Sequence, residues 1–118
     1  MTPIEEVHNL FLAAATETQF RTVASRSYYA AYASLMAIAP SLGFAATATG
    51  TDHVRLAQFL AGHTNPLLQR IGRYRLPRLR KIRNRADYEL QITFTHDLAE
   101  DAVRTAEEVI GWVNALVP

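Results

Sequence analysis

Arg83 and Asn84, followed by Asp87 and Tyr88, place a cation, an amide, a carboxylate and a phenol close together within residues 80–90, RKIRNRADYEL. Two kinds of chemistry suit that set. An arginine fork can hold a phosphate through two parallel hydrogen bonds, with neighbouring polar groups orienting it. Alternatively, Arg83 and Asp87 stand four residues apart and can close an internal ion pair on one helix face. Helical spacing puts Arg83 on a stripe with Leu79, Ala86 and Leu90, so its guanidinium points toward whatever that apolar face packs on, whereas Lys81 and Arg85 fall largely off the stripe and can stay in water. An arginine placed this way needs a partner that neutralises it or a polar cleft that it lines.

The surrounding charge is uneven. Arg70, Arg73, Arg75, Arg78, Arg80, Lys81, Arg83 and Arg85 supply eight of the 12 basic residues and span a segment with no acid, while Asp97, Glu100, Asp101, Glu107 and Glu108 face only Arg104 near the C-terminus. The net charge of +1 conceals both blocks. A basic segment of this kind can follow a phosphate backbone, in which case Arg78, Lys81, Arg83 and Arg85 are the RNA-binding candidates. It can equally pair with an acidic helix of the same or a neighbouring subunit.

Other chemistry-bearing residues are fewer. In SRSYYAAYASLMA, residues 25–37, Tyr28 and Tyr32 lie one turn apart and Tyr29 falls on the adjoining face. They read as core or interface rings with hydroxyls bonded at the edge, or as rings that meet a base. Arg26 on the same run can reach the cleft of Arg83 or face water. His53 beside Asp52 reads as a structural hydrogen-bonding residue or as a base. His53 and His63 could meet Asp52 around a metal, but nothing in their spacing enforces it, so no metal and no cofactor are expected. Phosphate-binding loop, glycine fingerprint and HExxH patterns are missing, and no serine has an elbow motif or an evident base.

The elements that must position these groups are helical almost throughout. Thr2, Pro3 and Glu5 make a helix start, and Ile4, Val7, Phe11 and Ala14 give the first helix its stripe. A second helix should begin near Thr18 and run to Pro40, with Phe20, Ala24, Ser27/Tyr28, Ala31, Leu35 and Ile38 inward. Residues 41–50 read as a connection, and Thr51 as the cap of a short helix ending at Gly62. Because Gly72 weakens the next pattern and Pro77 removes a donor, two pieces are expected, about 66–75 and 77–90. The run QITFT, residues 91–95, reads as a linker with Thr95 capping the last helix. There the pairs Leu98/Ala99, Ala102/Val103, Val109/Ile110, Trp112/Val113 and Leu116/Val117, with Thr105/Ala106 between them, form a face wide enough for deep burial. The expectation is an all-α fold, an up-and-down bundle of four main helices plus a short helix, in a single domain over residues 1–118.

With 118 residues, 49% of them apolar and 19% charged, the chain can bury one core without staples. It contains no cysteine, which removes a thiol nucleophile and a disulfide scaffold and suits a cytoplasmic location. No apolar run reaches the roughly 18 residues of a membrane span. Glu5 and Glu6 stand where a signal peptide would carry lysines. The wide last face and the tyrosine face together exceed what one thin bundle easily buries, which predicts a homodimer.

Taken together, SRSYYAAYASLMA, DHVRLAQFL (residues 52–60) and RNRADYEL (residues 83–90) resemble the HEPN family of small α-helical proteins, over about residues 5–115. In that family a tyrosine-rich second helix precedes a histidine-containing third and an arginine-led fourth. The resemblance implies a four-helix core, usually dimeric, linked to RNA cleavage in toxin/antitoxin and defence systems or to partnership with a small nucleotidyltransferase. It also implies that an arginine, its polar neighbour and a histidine some five positions on meet in a dimer cleft as catalytic groups. Arg83 and Asn84 match the first two, and Tyr88 stands in the histidine's place. Histidine suits removal of a proton from a 2′-hydroxyl near neutral pH, whereas tyrosine, with a pKa of about 10, is a poor base there. Phosphate binding therefore survives the exchange more readily than catalysis does. The resemblance leaves two expectations: an RNA-directed protein with weak or no nuclease activity, and a non-catalytic dimeric adaptor for a protein such as a nucleotidyltransferase.

Overall fold

A computed structural model describes residues 1–116. Its α-helices are α1 (Pro3–Ala13), α2 (Glu17–Ile38), α3 (Asp52–Ala61), α4 (Pro66–Arg70), α5 (Leu76–Tyr88) and α6 (His96–Leu116). The paired position Val117 lies outside the described residues. Helices α1, α2, α5 and α6 are the four main members of the all-α bundle and α3 is the short one; α2 lies at the centre, packed chiefly on α6 and α5. No strand occurs among the described residues, and QITFT is the linker into α6.

The caps explain most boundaries. The Thr2 hydroxyl accepts from the Glu5 amide at 3.3 Å, and that of Thr95 from the Leu98 amide at 3.2 Å. Helix α2 starts earlier than Thr18, because Thr16 and Gln19 form a reciprocal capping box at 3.2 and 3.1 Å; each satisfies an amide that the first turn leaves free. It ends at Ile38, where a 3₁₀ turn over Ala39–Leu42 takes over and closes on Gly43 at φ +102°. Thr51 precedes α3 but makes no capping bond. Asp52 gathers that end of the connection instead, accepting from the Thr47 and Ala48 amides, the Thr47 hydroxyl and Arg55.

The expected break near Pro77 is not a gap. Residues Ile71–Arg75 form one π turn, in which the Leu76 amide reaches back five residues to the Ile71 carbonyl, so α4, the turn and α5 make one rod. The wider turn accommodates the proline ring and its missing donor without ending the helix. Gly72 is buried there against α3: a Cβ at that position would lie 2.3 Å from the Ala61 nitrogen and 2.6 Å from the Ala57 oxygen. The glycine read as a weak point is thus a contact point between two backbones. Helix α5 stops at Tyr88, so Leu90, predicted on its inward stripe, is exposed.

The wide face of α6 is buried as expected. Ala99, Ala102, Val103, Thr105, Ala106, Val109 and Val113 are inside, with Leu98, Trp112 and Leu116 partly covered. All of this burial occurs within one chain. What α2 leaves outside is smaller, with Tyr29 its one large exposed apolar side chain.

Candidate functional site

Leu76, Leu79, Ile82 and Ala86 anchor α5 in the core, which turns the flank carrying Arg80, Arg83, Asn84 and Asp87 toward the tyrosine side of α2. Arg83 is largely buried, its side chain 14% exposed. One terminal nitrogen donates to Asn84 Oδ1 at 3.0 Å and the other to the Tyr29 hydroxyl. Nε lies 3.0 Å from Asp87 Oδ2, yet its N–H is not aimed at that oxygen and has no aligned acceptor. Around the guanidinium stand three rings, with centroids 5.1 Å (Tyr29), 5.3 Å (Tyr88) and 5.7 Å (Tyr28) from its carbon. Their faces favour a cation at these distances. Ser25 donates to Asp87 Oδ2 at 3.2 Å and fixes the carboxylate from α2.

His53, at the start of α3, completes the cluster from a third element. Its ring stacks on Tyr32 at 4.2 Å, and its Nδ1 lies 2.5 Å from the Tyr28 hydroxyl. Burial pushes the Tyr28 hydroxyl up to about 12, so it stays protonated and donates to Nδ1, leaving the neutral imidazole's proton on Nε2. Burial first, then the charges of Arg83 and Arg80, hold the His53 pKa below the usual histidine range, against a smaller pull from Asp52. Such a histidine is a hydrogen-bond donor at Nε2 rather than a free base.

The depressed pKa has a consequence for stability. Above an unfolded value of about 6.5 both states are neutral, and as pH falls below it the unfolded chain binds the proton first, so stability declines through the window down to the folded value. Thermal unfolding followed from about pH 7.5 to pH 5 should show that decline, and His53→Gln should flatten it. An identical slope in the variant would remove His53 as its source.

Not all predicted residues gather here. Arg83, Asn84, Asp87, Tyr88, Tyr28, Tyr32 and His53 meet; Tyr88 does so at the rim, 69% exposed. Arg26 is exposed and lines a groove between α1 and α2 with Glu6 and Ala33, and it is not among the groups holding Arg83. Arg78 is committed to α6 through Asp101 Oδ2 at 2.6 Å, as is Arg75 through Glu108 at 2.6 Å. The acidic helix therefore neutralises part of the basic run inside the chain. Arg85 lies 3.9 Å from Glu89, while no carboxylate among the described residues comes within ion-pair distance of Arg80 or Lys81. Asp52, His53 and His63 do not converge: Asp52 faces its loop, and His63 Nδ1 accepts from the Asn65 amide. Three contributors were missed. Arg80 was legible as the residue one turn before Arg83 on the same flank. Tyr29 was read only as an adjoining ring, and Ser25 had no distinguishing signal.

A double-mutant cycle on Arg83 and Asp87 should show coupling of about 1 kcal/mol, since they share one enclosed contact. Thermal or urea unfolding of Arg83→Ala, Asp87→Ala and the double variant measures it. Purely additive losses would mean that the rings and Tyr29, not the carboxylate, hold the arginine.

A helical bundle that presents an arginine among tyrosines on one polar flank defines a class of small all-α domains. The chain belongs to the HEPN family, whose model, described as HEPN domain, matches residues 11–116. That membership associates it, in a general sense, with a nuclease-like or RNA-related role. Comparison with curated proteins and with solved structures finds no match. No helix of the described residues is long and apolar enough to cross a membrane.

Proposed function

We propose that this HEPN protein is RNA-directed, binding RNA with weak or no cleavage as the cytoplasmic part of a toxin/antitoxin or defence module. The observation that carries the reading is Arg83 beside Asn84 on a flank where Arg80 and Lys81 keep their charge unspent. A shallow groove of about 460 Å³ lined by Arg80, Lys81, Asn84 and Arg85 adjoins them. A phosphate there meets cations, and Arg83 supports the site from behind. Weak cleavage follows from the groups present: Tyr88 replaces the histidine, and the nearby His53 has its Nδ1 engaged by Tyr28. A homodimer belongs to this reading, formed across the tyrosine flank because the α6 face is spent within the chain.

RNA binding should weaken steeply with salt, because each neutralised phosphate releases counterions, by about one unit of log–log slope per contact. Replacing Arg80, Lys81 and Arg85 together by alanine should flatten the slope by two to three units on the order of that rule. Arg78, held by Asp101, should change it little. Tyr88→His should raise cleavage if the flank otherwise has nuclease geometry. No affinity at low salt would defeat the reading.

One observation favours a second reading, a dimeric adaptor for a protein partner such as a nucleotidyltransferase. Arg83 is already satisfied by Tyr29, Asn84 and Asp87, as a purely structural arginine would be. Co-purification of a stoichiometric nucleotidyltransferase with a chain that ignores RNA would select it.

A further inference from the structure

On the other side of Arg80 from the basic groove lies a second cavity, of about 290 Å³, between α3 and the π turn. Its wall is apolar, built by Val54, Ala57, Leu76 and Pro77, and its polar end is made by His53 and Arg80. Pro77 and Arg80 line both grooves. The two therefore form one track across α5: apolar and recessed on one side, basic and shallow on the other, with a single cation between them. We infer that the apolar cavity receives one unstacked RNA base, while Arg80 and Lys81 hold the phosphates that flank it.

Size, charge and polarity each fit that occupant. The volume is close to the lower limit of pockets that hold small ligands, about 300 Å³, which suits one base with its sugar and not a longer body. Every base has an apolar face that gains from leaving water, and recognition of single strands combines such faces with a cationic track. The cation at the junction is free to take a phosphate, since no carboxylate among the described residues pairs with Arg80. At the polar end His53 has its Nδ1 engaged by Tyr28, so Nε2–H is the donor it can offer to a ring nitrogen or carbonyl of the base. The cavity owes its floor to Gly72, whose lack of a side chain lets α3 and the rod meet; it is a fixed recess between two helices rather than a gap between mobile loops.

This inference rests on the RNA-directed reading, and the experiment separates their failures. Binding of a short single-stranded RNA of mixed sequence is compared with binding of an abasic ribose-phosphate chain of the same length. The wild type should prefer the RNA by about tenfold, the effect of one stacked base. Ala57→Leu, which fills the cavity, should bring RNA down toward the abasic level. Because Ala57 lies near the α3–Gly72 contact, wild-type amide shifts give a second readout: Val54, Ala57 and Gly72 should respond to RNA and stay still with the abasic chain. Equal affinities, or unmoved amides with RNA bound, would overturn the base site and leave an RNA-binding protein. Failure of both chains to bind would overturn the base site and the RNA-directed reading together.

Discussion

Gly72→Ala should cost the fold about 3 kcal/mol, near the top of the usual range for overpacking, because there is nothing flexible to yield. The added Cβ would meet the Ala61 nitrogen at 2.3 Å, the Ala57 oxygen at 2.6 Å and the Leu60 carbonyl carbon at 2.8 Å. All three are backbone atoms of α3. Relief requires α3 to move off the rod, which uncovers Leu56 and Leu60, both fully buried. For a domain of this size the loss should lower the melting temperature by roughly 10–20 °C. Gly111→Ala provides the opposite sign: it lies within α6 with nothing near its Cβ, so alanine should add about 0.5–1 kcal/mol through helix propensity. A Gly72→Ala protein as stable as the wild type would show that α3 and the rod are not locked together.

Arg21→Ala should cost about as much, on the order of 3 kcal/mol, for a different reason. Arg21 projects from the first turns of α2 to the end of α5, where it donates to the carbonyls of Arg85 at 2.9 Å and Ala86 at 3.0 Å and to those of Glu89 and Ile92. Glu17 steadies it at 3.0 Å and also accepts from the Phe94 amide, and the guanidinium lies over the Phe94 ring. A helix end leaves carbonyls unpaired, and a cation there satisfies both the hydrogen bonds and the dipole. Lysine keeps the charge but not the planar set of donors, so Arg21→Lys should recover less than half of the loss. Chemical unfolding gives the magnitude, and hydrogen exchange should place the loosening at residues 86–94. A deficit under about 1 kcal/mol, or full rescue by lysine, would contradict the capping role.

Arg21 also marks where sequence reasoning ran out. Its partners are backbone carbonyls 64–71 residues away, and a carbonyl has no residue type to read. By contrast, the inward tilt of Arg83 and its set with Asn84, Asp87 and Tyr88 were legible, because helical periodicity alone relates residues within two turns. So was the wide face of α6. The start of α2 was misplaced because two threonines precede the pattern and either can cap; only the reciprocal bond from Gln19 chooses Thr16. Gly72 and Pro77 were read as breakers because local propensity carries no knowledge of α3, which makes the glycine a requirement, or of the wide turn that accommodates the proline. The split of the basic run into arginines tied to α6 and cations left free depends on which face of α5 meets α6, a tertiary fact.

The π turn bears on how the chain tolerates changes in its length. A turn that closes over five residues instead of four holds, in effect, one residue more than a regular helix needs. Deleting an exposed residue from Ile71–Arg75, such as Tyr74, would let the rod relax to regular winding, and everything beyond would rotate by about 100° about the helix axis. Arg80, Arg83 and Asp87 would keep their mutual spacing and lose their bearing on Tyr28, Tyr29 and His53. The flank thus has a phase set upstream, by how many residues are threaded past α3, and a single deletion well away from Arg83 would put it out of step while leaving each of its side chains in the sequence.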